Sequence, residues 1–167
     1  LQRTQLKNGI EVVLAERHEV PVVQVSLEFP GGFTADVGRK LGTASFAMDM
    51  MSESAAGMDA LALADRAESL GANVGSSASL DGSNVNLSAL SDQLPASLDL
   101  LADVTLRPDF ADKEIERVRT AWIAGIQQEK TRPNGVAMRI LPPLIFQPAW
   151  AKRSMASGSC ARSIQAG

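Results

Sequence analysis

Two dipeptides limit most tightly how this chain can fold. Asn8-Gly9 and Asp81-Gly82 each lie between short runs in which apolar and polar residues alternate. An Asn-Gly or Asp-Gly pair in that setting marks a two-stranded hairpin, because both residues tolerate the positive φ of a tight turn. The first hairpin joins Thr4–Leu6 to Ile10–Glu16, and the second joins Ala72–Ser79 to Ser83–Ser91. In the second arm of the first, Ile10, Val12 and Leu14 alternate with Glu11 and Val13, which predicts one buried face. Val85, Leu87 and Ala89 alternate with Asn84, Asn86 and Ser88 in the other. Val22–Phe29 supplies a further strand after the break at Val20-Pro21.

Everything else with a period reads as helix. After a glycine-containing loop, Pro30–Lys40, the residues Leu41, Ala44, Met48 and Met51 form one apolar stripe. Asp59–Leu70 follows, with Leu61, Ala64 and Ala67 marking its spacing and Gly71 its stop. Gln93–Leu106 aligns Leu94, Leu98, Leu101 and Thr105. Asp112–Thr131 is the longest helix, capped by Asp112, with Ile115, Val118, Trp122 and Ile126 as its buried stripe. Arg132-Pro133 stops it, and Val136–Phe146 reads as a last helix interrupted by Pro142-Pro143. The order ββ-β-αα-ββ-ααα predicts an α+β fold, an antiparallel sheet with helices packed on one face. Residues 1–146 form one domain, and 147–167 an irregular tail rich in Ser and Ala.

Charge and composition exclude several functions. A net charge of −3 with no block of like charge, and 4% aromatics, give no basis for nucleic-acid binding. No run of about 18 apolar residues is present, so no membrane-spanning helix is expected. Cys160 is the lone cysteine, which rules out an intrachain disulfide and a cysteine-based metal cluster. His18, the one histidine, sits in the charged run Glu16-Arg17-His18-Glu19 and reads as a solvated side chain. A Ser45–His18–Asp49 triad would lack a strained nucleophile turn. Gly31-Gly32 serves the turn after a strand, since no Lys-Ser/Thr follows at phosphate-loop spacing. Met48, Met50, Met51 and Met58 read as core filling. The chain begins at Leu1 without a leader pattern and is expected to be an excised or processed segment.

The opening LKNGIEVVLAE, the helix GTASFAMDMM at Gly42–Met51, the strand ANVGSSAS and the order of elements together resemble the insulinase and mitochondrial-processing-peptidase superfamily, M16 type. The resemblance covers Leu1 to Phe146. It implies a LuxS/processing-peptidase-like metallopeptidase lobe, paired with a homologous lobe around a peptide. In active lobes of that family the helix at Gly42–Met51 carries His-x-x-E-His. Two imidazoles one turn apart reach a single Zn²⁺, and the Glu takes a proton from the metal-bound water. A third ligand, Glu, comes from a later helix.

Here the two His positions fall on Ser45 and Asp49 and the Glu position on Met48, while a count of 76 residues from Asp49 reaches Gly125. All four are vacated, so no metal, no cofactor and no catalytic residue are expected. The resemblance instead implies a non-catalytic lobe that helps to enclose and position peptide for a zinc-bearing lobe, in the same chain or a partner subunit. The alternative is a scaffold subunit that pairs without touching peptide, and homo-oligomerisation is open as well. Peptide binding is expected along the Ala72–Ser79 strand, with Asn73, Gly75, Ser76 and Ser77 as the candidates. A bacterial periplasmic or exported location fits a cysteine-poor chain by analogy.

Overall fold

The computed structural model describes residues 1–145. The strands are β1 (Gln2–Gln5), β2 (Glu11–Leu14), β3 (Val22–Pro30), β4 (Asn73–Ala78) and β5 (Gly82–Leu90). The helices are α1 (Thr43–Met51), α2 (Ala60–Ser69), α3 (Leu94–Leu106), α4 (Asp112–Lys130) and α5 (Pro133–Ile145). All strand pairs are antiparallel, as the hairpin signals predict. They form two sheets: β1-β2 alone, and a three-stranded sheet in the order β3-β5-β4.

The three-stranded sheet has one apolar and one polar face. Val25, Leu27, Val74, Ala78, Val85, Leu87 and Ala89 join the core with Met48, Leu63, Leu70, Leu100, Leu101 and Val104 from the helices. The register brings Gln24, Ser88 and Asn73 into one cross-strand row, Ser26, Asn86 and Gly75 into the next, and Glu28, Asn84 and Ser77 into a third. Strand side chains alternate between faces, so these nine positions share the face turned from the helices. The helices therefore cover one face of an α+β sheet, as expected. No helix among the described residues is long and apolar enough to cross a membrane.

Several details depart from the periodic reading. Ile10 and Leu14 are 55% and 47% exposed, because the β1-β2 hairpin forms its own sheet rather than joining the core. Gly9 takes φ +90 in its turn, while Asn8 does not enter the positive region and its Oδ1 accepts from the Ile10 amide. Gly82 also keeps out of that region.

In α2 the buried residue is Leu63, while Leu61 is 70% exposed. Leu63, Ala67 and Leu70, spaced i, i+4, i+7, face the core instead. Leu98 of α3 is likewise exposed, with Ser97, Leu100, Leu101 and Val104 turned inward. Met50 is the most buried residue of α1, and Met48 is also buried. Helix α4 is preceded by Ala111 without a side-chain cap, so Asp112 is its first residue rather than its cap.

Helix α5 begins at Pro133, where a missing N–H costs nothing, and its backbone continues through Pro142-Pro143. Expectations for Phe146, the 147–167 tail and Cys160 lie outside the described residues.

Candidate functional site

The helix at the centre of the site has no cap of its own. Gly42 precedes α1 at φ +88 and offers no side chain. Its N-terminus is closed from upstream by Asp36, at the end of the 3-10 turn Phe33–Asp36. The buried Asp36 carboxylate accepts from the Gly42 amide at 2.9 Å and from the Ala44 amide at 3.2 Å. This carboxylate meets the positive end of the helix and satisfies amides that have no intrahelical partner.

The three α1 positions where the resemblance would put the motif diverge. Ser45 Oγ has less than 1 Å² of accessible surface and no hydrogen-bond partner among the described residues. Met48 is buried in the core, and its carbonyl accepts from Ser76 Oγ at 2.6 Å. Asp49 is half-buried and its Oδ2 accepts from the Trp122 indole Nε1 at 3.0 Å. Burial raises the Asp49 carboxyl above the ordinary carboxylate value, and the Trp122 bond draws it partly back. Trp122 also meets Phe46 edge-to-face, with centroids 5.3 Å apart.

The residue of α4 that reaches α1 is thus Trp122, one turn before Gly125. Gly125 is exposed, and a side chain there would point into open space. It lines a pocket at the α4–α5 junction with Gln128, Glu129, Arg132 and Asn134.

These residues do not fit Zn²⁺. An indole N–H is a donor with no lone pair to offer, a thioether in the core is a poor partner, and one carboxylate is too few. Among the described residues no three His, Cys, Asp or Glu side chains converge. His18 stands in solvent with Nε2 3.8 Å from Glu16, and Asp49 is engaged by Trp122, so neither is held in a triad. Gly31, at φ +103, and Gly32 form the exit from β3. A Cβ on Gly32 would lie 2.1 Å from the Ser79 carbonyl oxygen, so close approach to the β4–β5 turn requires glycine there.

The structure places β4 at an edge of its sheet, directly beside α1. Its orientation follows from the turn. Ser79 N–H donates to the Gly82 carbonyl, so Ser79 and Gly82 are a hydrogen-bonded pair, and so by alternation are Ser77–Asn84, Gly75–Asn86 and Asn73–Ser88. The main-chain groups of Val74, Ser76 and Ala78 point outward, and among the described residues no backbone group pairs with them. The four candidate side chains do not act together. Asn73, Gly75 and Ser77 belong to the polar face, where Ser77 Oγ donates to Asn84 Oδ1 at 2.7 Å, whereas Ser76 is turned to α1.

Three partnerships escape sequence reasoning: Asp36 with the start of α1, Ser76 with Met48, and Trp122 with Asp49. The last had one signal. A tryptophan on a buried stripe needs an acceptor for its N–H.

A family model described as Insulinase (Peptidase family M16) matches residues 11–157. The peptidase M16 inactive domain from Pseudomonas fluorescens superposes with a TM-score of 0.77 at 25% identity, over 99% of this chain and 50% of that one. A protease from Helicobacter pylori shares the fold with a TM-score of 0.65 at 18% identity, over 81% of this chain and 33% of its own. Among curated proteins, mitochondrial cytochrome b-c1 complex subunit 1 of Bos taurus is 25% identical over 146 residues, 87% of this chain and 30% of that protein. The chain thus spans half or less of the length of these relatives.

Proposed function

The chain belongs to the insulinase family, peptidase family M16, as a non-catalytic lobe, and from that premise we propose that it holds extended peptide for a separate zinc-bearing lobe. The observation that carries this reading is the open edge of β4 beside α1. Three outward N–H and C=O sets, on Val74, Ser76 and Ala78, are available for strand addition. Main-chain bonding of this kind is tolerant of sequence, which suits a lobe that positions peptide rather than selecting it.

Two features support the placement. Ser76 ties the strand to α1 at 2.6 Å, which keeps the edge straight and close to the former metal helix. The polar face around Asn73, Gly75 and Ser77 adjoins the same edge and would remain hydrated in a chamber between lobes. The lobe's mechanistic part is binding and exclusion of water from the bond being cut, with the chemistry done elsewhere.

Amide hydrogen exchange tests the reading. With a pool of unstructured peptides in excess, the amides of Val74, Ser76 and Ala78 should slow, while those of Asn73, Gly75 and Ser77, already bonded to β5, should stay unchanged. No protection along β4, with assembly to a zinc-bearing lobe intact, would instead favour a scaffold subunit.

A further inference from the structure

We infer that Asn8 is a site of spontaneous covalent modification, where the side-chain amide is lost through a cyclic imide and the β1–β2 turn is left with aspartate or isoaspartate. The chain holds two Asn-Gly pairs, Asn8-Gly9 and Asn134-Gly135. Sequence alone makes them equivalent, and the structure separates them.

The reaction needs the main-chain nitrogen of the following residue to reach the Asn side-chain carbon. Glycine permits it because no Cβ shields that nitrogen. At Asn8 the side chain already folds back on its own main chain, with Oδ1 accepting from the Ile10 amide at 3.2 Å. That bond closes a ring around the Gly9 peptide, which keeps Cγ beside the Gly9 nitrogen. It also draws electron density from the carbonyl to be attacked. Both residues are exposed, and nothing lies within 4 Å of where a Cβ on Gly9 would stand. One bond opposes the attack, from the Gly9 N–H to the Leu6 carbonyl at 2.9 Å. It belongs to a two-stranded sheet set apart from the main one, and a lone hairpin opens readily in water. Asn134 lies instead in the first turn of α5, where helical backbone turns the next nitrogen away from the side-chain carbon. Gly135 is packed against α4, so closely that a Cβ there would lie 2.8 Å from Glu129 Cγ.

The step balances without oxidation or reduction. Hydroxide takes the Gly9 amide proton, the nitrogen bonds to Asn8 Cγ, and the Cγ–Nδ2 bond breaks as ammonia leaves with a proton from water. A second water opens the ring. Cleavage at Cγ gives aspartate, and cleavage at the main-chain carbon gives isoaspartate, which adds Cβ to the main chain. Either product adds a negative charge to a chain already at −3. Isoaspartate also lengthens the turn and disrupts the two bonds that close it, Leu6 N–H to Ile10 and Gly9 N–H to Leu6. The β3-β5-β4 sheet shares no strand with the hairpin and keeps its register.

Ageing the chain in mildly alkaline buffer at physiological temperature tests the inference, with peptide mass mapping and enzymatic methylation of isoaspartate as readouts. The peptide holding Asn8 should gain the mass of an amide-to-acid change and accept methyl groups, severalfold faster than the peptide holding Asn134. In the urea-unfolded chain the two rates should converge. Hydrogen exchange of the aged chain should show lost protection at the Leu6 and Gly9 amides and none lost in β5. Asn8→Gln should abolish the change at this peptide, because its ring would be larger and slow to close. Gly9→Ala should slow it severalfold where circular dichroism shows the fold retained, and Asn8→Gln stands alone where it does not. Equal rates at Asn8 and Asn134 in the folded chain, reaction at Asn8 only after unfolding, or a change that persists in Asn8→Gln would each overturn the inference.

Discussion

The Ser76 hydroxyl donates to the Met48 carbonyl oxygen at 2.6 Å, fastening the outer strand of the sheet to α1. Met48 lies in the last turn of α1, whose carbonyls have no regular intrahelical partner, so the Ser76 donor is a specific tie between α1 and β4. Ser76→Ala removes that donor. The expected loss is about 1 kcal/mol, or a fall in Tm of about 2–4 °C for a chain of this size. Thermal melting and urea denaturation of the variant measure it, and an unchanged midpoint would mean that the bond contributes nothing net.

Asp36 is the second tie on α1. It is 4% exposed and accepts from two amides of the first turn. Asp36→Ala leaves both amides without that acceptor in a site where water is largely excluded, at an expected cost of about 1–3 kcal/mol. Asp36→Asn keeps one acceptor and should recover part of that loss. Denaturant midpoints for the pair give the comparison, and equal loss in both would point to charge rather than hydrogen bonding as the main term.

Two glycines offer opposite outcomes for the same substitution. A Cβ at Gly32 would meet the Ser79 carbonyl oxygen at 2.1 Å and the Gly82 main chain at 2.8–2.9 Å, all backbone atoms that cannot rotate away. Gly32→Ala must therefore part the β3 exit from the β4–β5 turn and break the Phe33 amide bond to Ser79. The expected cost is more than about 3 kcal/mol. At Gly125, inside α4 with open space around it, Gly→Ala should stabilise by about 0.5–1 kcal/mol. A Gly125→Ala chain that loses stability would reveal a contact at that position.

The hairpins, the five helices and the α+β class were legible because they rest on local chemistry: Gly9 in its turn, Gly71 at φ +59 after α2, Asp59 accepting from the Ala62 amide. A motif with fixed spacing can be checked residue by residue, which is how the resemblance pointed to Ser45, Met48 and Asp49 on α1. What could not be read was rotation and reach. A shift of a fraction of a turn buries Leu63 and exposes Leu61, and only the neighbouring strands decide it. Likewise Trp122 and Asp49 lie 73 residues apart in sequence, a distance over which no periodicity carries information. The edge position of β4 depends on strand order, which two separate hairpins leave undetermined until β3 docks on β5.

Asp49 carries a pH signature with a definite sign. Burial raises its carboxyl above the ordinary value, the Trp122 bond partly opposing this. A folded-state pKa above the unfolded one means that the folded chain binds the proton more tightly. The stability linked to that proton is fully present below the ordinary carboxylate pKa and is lost as pH rises through the raised one. At neutral pH the ionised Asp49 is therefore a cost. Asp49→Asn keeps a carbonyl oxygen for the Trp122 N–H while removing the charge. The variant should be more stable than the parent at pH 7, and the gap should shrink as the pH is lowered through the raised value, closing below the ordinary one. Urea midpoints for both chains over a pH series measure the gap, and one that widened on acidification would mean that Asp49 is stabilised by its ionised form.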